Sequence, residues 1–376
     1  MLILLLGCTT GQEDDRTEET WIRLKSIDFR NAFAIFQYND HDGLRNMLHV
    51  NDMGNVSPLK MTFEGNYNER QAKSFDISEV HYSDYLILSS EDLHQTYFVN
   101  KKTGEAFESA YIDFDTRSDG VVPIACNADV CYCSTAYVTL KISNYLSKEA
   151  SVKTLSEHLI GKLGVDKDGI FFLHAFDGVY SYIDESMEKI VAQPAGLWLE
   201  DDGMFRTIDT EGVISKIAKE KVEYQGTIPH AITNMKAYKF SMYQKTYGVQ
   251  YRYDQFHFYE LTTPYQHMKT INAPWRSDEF GNTRILIQTD ERYIYTYSFE
   301  RNINQVFQKI DVTDFSSSLI TTTTIGNVWH FLPLSNNKIL AVMDLSRNDQ
   351  PALIDEEGNV EFLLEGGNVE GGLIKL

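Results

Sequence analysis

The sequence predicts an all-β fold, a β-propeller with seven blades as the favoured count and eight as the alternative. Three observations predict it. The composition is strand-like, with 22 Tyr, 21 Phe and only 8 Pro in 376 residues. One turn pattern, an Asx residue followed by a short Gly-containing turn, recurs along the chain. Its spacing matches a propeller blade of roughly 40–50 residues carrying three or four strands.

The clearest unit lies in the middle of the chain. Gly196-Leu197-Trp198-Leu199-Glu200 reads as a strand, Asp201-Asp202-Gly203 as its turn, and Met204–Asp209 as a second strand. Thr210-Glu211-Gly212 turns again into Val213-Ile214-Ser215-Lys216-Ile217. Asp and Gly suit such turns because Asp bonds its own backbone and Gly tolerates positive φ. The marker residue recurs at Asn51, Asn100, Ser143, Asp184, Asp209, Glu260, Asp311 and Asp355. Most gaps run from 41 to 51 residues, but the step from Asp184 to Asp209 is only 25. That short step makes one of the eight units look incomplete and favours seven blades. The repeats continue without a Pro- or Ser-rich joint, which argues against two separate β-sandwiches.

The stretch from Asp166-Lys167-Asp168-Gly169 to Gly178-Val179-Tyr180-Ser181-Tyr182-Ile183-Asp184 resembles an NHL-type or TolB-like propeller repeat. The resemblance is one of pattern, spread over residues 26–376, and it implies fold rather than function. That whole span is read as one domain.

Residues 1–25 read as a truncated lipoprotein signal and acidic tether. Leu5-Leu6-Gly7-Cys8 resembles a bacterial lipobox. The resemblance implies that the Cys8 thiol is lipidated and anchors the protein to a membrane, more than one acyl chain being needed for stable attachment. Gln12-Glu13-Asp14-Asp15 is similar to the acidic export tag of bacterial surface lipoproteins. The implied location is the bacterial cell envelope, as an outer-membrane lipoprotein facing the periplasm or the exterior. The apolar run at the amino terminus is short for a signal segment, and it carries no Lys or Arg.

The formal net charge is -20, from 54 acidic and 34 basic residues. Such a field repels phosphate backbones, so no nucleic-acid partner is expected. No His-Glu-x-x-His, Gly-x-Ser-x-Gly, phosphate loop or dinucleotide fingerprint is present, and no cofactor is expected. Cys126, Cys131 and Cys133 are candidate disulfide partners in an oxidising compartment, with Cys126 pairing to either of the other two. Zinc-spaced partners are absent nearby, so no metal site is expected. Asp113–Gly120 has the look of a calcium loop, but Arg117 and Ile124 stand where oxygen ligands belong, and it reads as an acidic turn. Trp198, Trp275, Trp329 and the run Tyr251–Tyr259 offer stacking platforms or, as alternating strand residues, core packing.

These readings favour a lipid-anchored module that binds a protein or glycan partner. Two alternatives stand beside it: a glycan-active hydrolase or lyase with carboxylates in the funnel, and an accessory subunit of an outer-membrane assembly. The absence of catalytic motifs weighs against the enzyme.

Overall fold

A computed structural model describes residues 22–40, 45–65, 75–80, 83–90, 92–111, 124–134, 139–155, 162–167, 171–175, 178–183, 186–218, 221–274, 285–298, 305–323, 326–345, 348–364 and 366–376. The described residues form strands and a single short helical turn, Ser241–Tyr243. Eight four-stranded antiparallel sheets account for all strands but two. Seven of these sheets are meanders of four consecutive strands.

The eighth sheet is composite and closes the ring. Its innermost strand, Asn368–Lys375, comes from the carboxyl terminus and pairs with Ala34–Asn39, followed by Arg45–Val50 and Val56–Pro58. The register sets Ala34 opposite Lys375 and Asn39 opposite Asn368. Counting this sheet as blade 1, blade 2 spans Asp76–Glu79 to Ala106–Ser109, and blade 3 spans Ile124–Cys126 to Ser151–Thr154. Blade 4 runs from Lys162–Val165 to Ser186–Ala192, and blade 5 from Pro194–Leu199 to Lys221–Thr227. Blade 6 runs from Lys236–Phe240 to Gln266–Asn272, blade 7 from Ile285–Thr289 to Ser317–Thr321, and blade 8 from Asn327–Pro333 to Val360–Phe362.

Among the described residues the count is therefore eight, the alternative rather than the favoured number. The short step between markers has a local cause. In most blades the marker ends the third strand, as Asn100 ends Gln95–Asn100 and Asp311 ends Val306–Asp311. Asp209 instead ends the second strand of its blade, Phe205–Asp209. It marks a turn at the opposite end of the sheet, so the spacing contracts while the blade stays complete.

Marker side chains recur because they build the turn. Asn51 Oδ1 accepts from the backbone N–H groups of Met53 (3.0 Å) and Asn55 (2.9 Å). Asp209 Oδ1 does the same for Glu211 and Val213, both at 2.9 Å. Gly104 completes one such turn at φ 74°, where a β-carbon would collide with the carbonyl oxygen of Ile27. Only glycine fits there.

Apolar clusters weld neighbouring blades, as stacking requires. Leu48 and Val50 of blade 1 pack with Leu340, Val342 and Leu353 of blade 8. Trp198 and Ile208 of blade 5 pack with Tyr259 of blade 6. Buried glutamines add polar staples. Gln37 Nε2 donates to the carbonyl of Phe75 at 2.9 Å, and Gln308 Nε2 to that of Asn272 at 3.1 Å. Gln350 Nε2 reaches the carbonyl of Gly367. Each satisfies an acceptor at the join between one blade and the next.

The two remaining strands, Ile22–Asp28 and Lys60–Gly65, form an antiparallel ribbon. It packs into the junction of blades 1 and 2, burying Leu24 and Ile27 against Phe75, Leu88 and Tyr97. Tyr97 OH accepts from Leu24 N–H at 3.2 Å, and Gln95 Nε2 donates to Ile22 O at 2.6 Å. The ribbon's first strand runs across residue 26, from which the sequence reading began the propeller.

Candidate binding grooves between blades

Two grooves occupy equivalent places in the ring. Each is bounded by the turn after the first strand and by the outer strand of one blade. The turn between the third and fourth strands of the next blade forms the other wall. One lies between blades 8 and 1, with a volume of about 490 Å³. The other lies between blades 5 and 6, with a volume of about 370 Å³. Both fall in the range of ligand-sized clefts, roughly 300–1,000 Å³.

The blade 8–1 groove has an apolar floor and a mixed rim that includes Asn55, Ser57, Lys338 and Glu361. Leu48, Val56, Pro58, Leu353, Leu363 and Leu364 line it, with Met53, Lys338 and Glu361 among the other lining residues. Leu353 and Leu48 are buried, whereas Met53 is 63% exposed. One end is pinned by Ser335, whose N–H donates to Asp52 Oδ1 at 3.2 Å and whose hydroxyl bonds Asp52 Oδ2. Asn336 Nδ2 donates to Met53 O at 3.4 Å. The outer strands Val56–Pro58 and Val360–Phe362 each pair with a single neighbour, so each presents an open strand edge. Such an edge offers backbone donors and acceptors to an extended chain.

The blade 5–6 groove has acidic walls, but its carboxylates are occupied. Glu200 Oε1 accepts from Trp198 Nε1 at 2.7 Å and from the Thr246 hydroxyl at 3.1 Å. Asp201 pairs with Lys239 across the junction. Asp202 pairs with Arg206 at 2.8 Å and Lys216 at 3.1 Å. Partial burial alone would raise the Asp202 carboxyl, but Arg206 and Lys216 outweigh it and hold the group at about 2. Behind this wall, Glu260 is 2% exposed and bound to Lys245 at 2.6 Å. Loss of one partner would strand a buried charge.

The sequence-expected sites fall elsewhere. Cys8 lies outside the described residues, as do Asp113–Gly120 and Trp275. Cys126 and Cys131 stand directly opposite each other in blade 3, with Cα atoms 4.1 Å apart and their sulfurs joined. Cys133 is free and buried, and burial pushes its thiol up to about 12. Such a thiol is inert toward nucleophilic chemistry. Trp198 is 5% exposed and serves the core, while Trp329 is 41% exposed on the inner strand of blade 8. Within Tyr251–Tyr259, Phe256, Phe258 and Tyr259 are buried and Tyr253 is 77% exposed. Among the described residues, no group of three or more His, Cys, Asp or Glu side chains is placed to hold a metal ion. No helix among them is long and apolar enough to cross a membrane.

The described residues define a β-propeller. No family model matches the chain, and no curated protein matches it in sequence. Solved structures resemble it in fold. Apo AztD from Citrobacter koseri aligns at a TM-score of 0.51 and 10% identity, over 91% of this chain and 98% of that one. A protein from Lactobacillus plantarum gives 0.45 and 11%, over 80% of this chain and 98% of its own. YCF48 bound to D1 peptide gives 0.39 and 8%, over 72% of this chain and 89% of its own. At such identities the likeness concerns the fold alone.

Proposed function

We propose that this protein is an exported, lipid-anchored binding module of the bacterial cell envelope, tethered through Cys8. Its partner is a protein that lays an extended apolar segment into the blade 8–1 groove. The observation that carries this reading is the contrast in that groove between a floor of buried Leu48 and Leu353 and an exposed rim at Met53, flanked by Lys338 and Glu361. Apolar floors beside open strand edges suit an extended peptide. A glycan would ask for hydrogen-bonding groups on the floor, and leucines supply none. A glycan hydrolase would need two working carboxylates in one cleft. In the acidic groove, Glu200, Asp201 and Asp202 are instead committed to Trp198, Lys239, Arg206 and Lys216.

Capture from detergent-solubilised membranes tests the partner, with the Met53→Asp variant as control. The wild-type protein retains a partner and the variant does not. Equal capture by both would remove the groove from the account. Fatty-acid labelling tests the anchor: label is taken up by the full-length wild-type chain and lost in Cys8→Ala. Retained label in that variant would overturn the lipidation.

A further inference from the structure

Three histidines meet at the junction of blades 5 and 6. His230 lies in the connection between Lys221–Thr227 and Lys236–Phe240, His257 in the third strand of blade 6, and His267 in the fourth. Ring centroids stand 5.1 Å apart for His230 and His267, and 6.2 Å apart for His257 and His267. The Thr270 hydroxyl bridges two of them, 3.1 Å from His267 Nε2 and 3.1 Å from His257 Nδ1. Tyr259 packs edge-on against His267 at 5.4 Å, and its hydroxyl donates to Gln250 at 3.0 Å.

The charges around the cluster are cationic. Arg252 and His230 bear on His257, and His230 and His257 bear on His267. The nearest turn carboxylate, Asp254, accepts from the Tyr251 hydroxyl at 3.0 Å. Glu260, one residue beyond Tyr259, is held by Lys245 and by Gln266 at 3.1 Å. Lys269, also on the fourth strand, carries a positive charge. No acidic group features among the influences on either half-buried imidazole. A single hydroxyl has one proton, so Thr270 donates to at most one of the two ring nitrogens, and that nitrogen must be unprotonated.

We propose that the blade 5–6 junction is a proton-sensitive joint, in which charging His257 and His267 beside His230 loosens the outer strand of blade 6 while the rest of the ring stays closed. Two charged imidazoles at these separations repel, and once both nitrogens carry protons the Thr270 hydroxyl can no longer donate to either ring. The direction follows from linkage. Burial first, and then the neighbouring cations, hold His257 and His267 below the ordinary imidazole range. The neutral forms therefore favour the closed junction above a pH of about 6.5, and that contribution is lost as pH falls below it. Opening takes up protons.

Hydrogen exchange across the intact protein tests the joint, with rates corrected for the intrinsic effect of pH. Between about pH 7.5 and 5.5, amides of Gln266–Asn272 lose protection at least tenfold relative to those of Ile339–Asp344 in blade 8, as expected when imidazoles titrate in that range. The His257→Gln/His267→Gln variant abolishes the difference. The His230→Gln variant, altered at an exposed position, reduces it and keeps the fold. Parallel loss of protection in the two blades, or a difference that survives in both variants, would overturn the proposal.

Discussion

The two grooves share a frame and differ in what their side chains are committed to. Between blades 5 and 6, Glu200, Asp201 and Asp202 are tied to Trp198, Thr246, Lys239, Arg206 and Lys216. Between blades 8 and 1, the closure rests on the buried leucines and on Ser335 with Asp52, and the rim at Met53 remains exposed. One groove uses its chemistry to hold two blades together. The other holds its blades by its floor and leaves Met53 at its rim exposed. The difference teaches that shape alone does not identify a site on a repeat protein, because two junctions offer clefts of similar outline. What separates them is whether the polar and apolar groups already have a use within the ring.

The largest expected effect comes from the floor. Leu353→Ala costs about 2–5 kcal/mol of unfolding free energy, because a 5%-exposed leucine leaves a cavity at the ring closure. Leu261→Ala, in the wall of the other groove and 3% exposed, costs a similar amount, about 2–5 kcal/mol. Denaturant titration of both checks that the two grooves are equally structural at depth. A much smaller loss at Leu353 would break that symmetry.

The polar layer then separates them. Glu200→Ala leaves Trp198 Nε1 and the Thr246 hydroxyl without their acceptor and costs about 1–3 kcal/mol. Acid titration sharpens the same point. Asp202 contributes stability above its ordinary carboxylate pKa of about 3.9, and the contribution is lost as pH falls through about 2. The Asp202→Asn variant therefore shows a flatter acid limb in thermal unfolding than the wild type. An unchanged limb would deny the carboxylate its structural role.

The smallest effect on stability is the most telling for function. Met53→Ser changes unfolding free energy by less than about 0.5 kcal/mol, as expected for an exposed residue. The same change weakens partner capture. A variant as competent in capture as the wild type would detach the rim from binding.

The turns were legible in the sequence because their chemistry is local. Asn51, Asn100 and Asp355 each bond backbone groups two to four residues ahead, and such a motif needs no distant partner to be visible. The same locality misled the blade count. Asp209-Thr210-Glu211-Gly212 serves a turn after a second strand as readily as one after a third. The grooves were not legible. Leu48, Met53, Lys338, Leu353 and Glu361 converge only when the last strand returns to pair with Ala34–Asn39. The glutamine staples were hidden for a related reason, since Gln37 and Gln308 look like solvent-facing strand residues until the carbonyls of Phe75 and Asn272 are placed beside them. Histidines 230, 257 and 267 read as scattered until strand pairing set Tyr259 opposite His267 and His257 opposite Thr270.

The division of labour between the grooves can be tested with a photoreactive residue in place of Met53 at the blade 8–1 rim, and in place of Gln225 in the wall between blades 5 and 6. In cells, irradiation joins the protein at position 53 to a distinct partner protein and gives no adduct at position 225. Adducts from position 225 with none from position 53, in proteins of equal stability, would contradict the account.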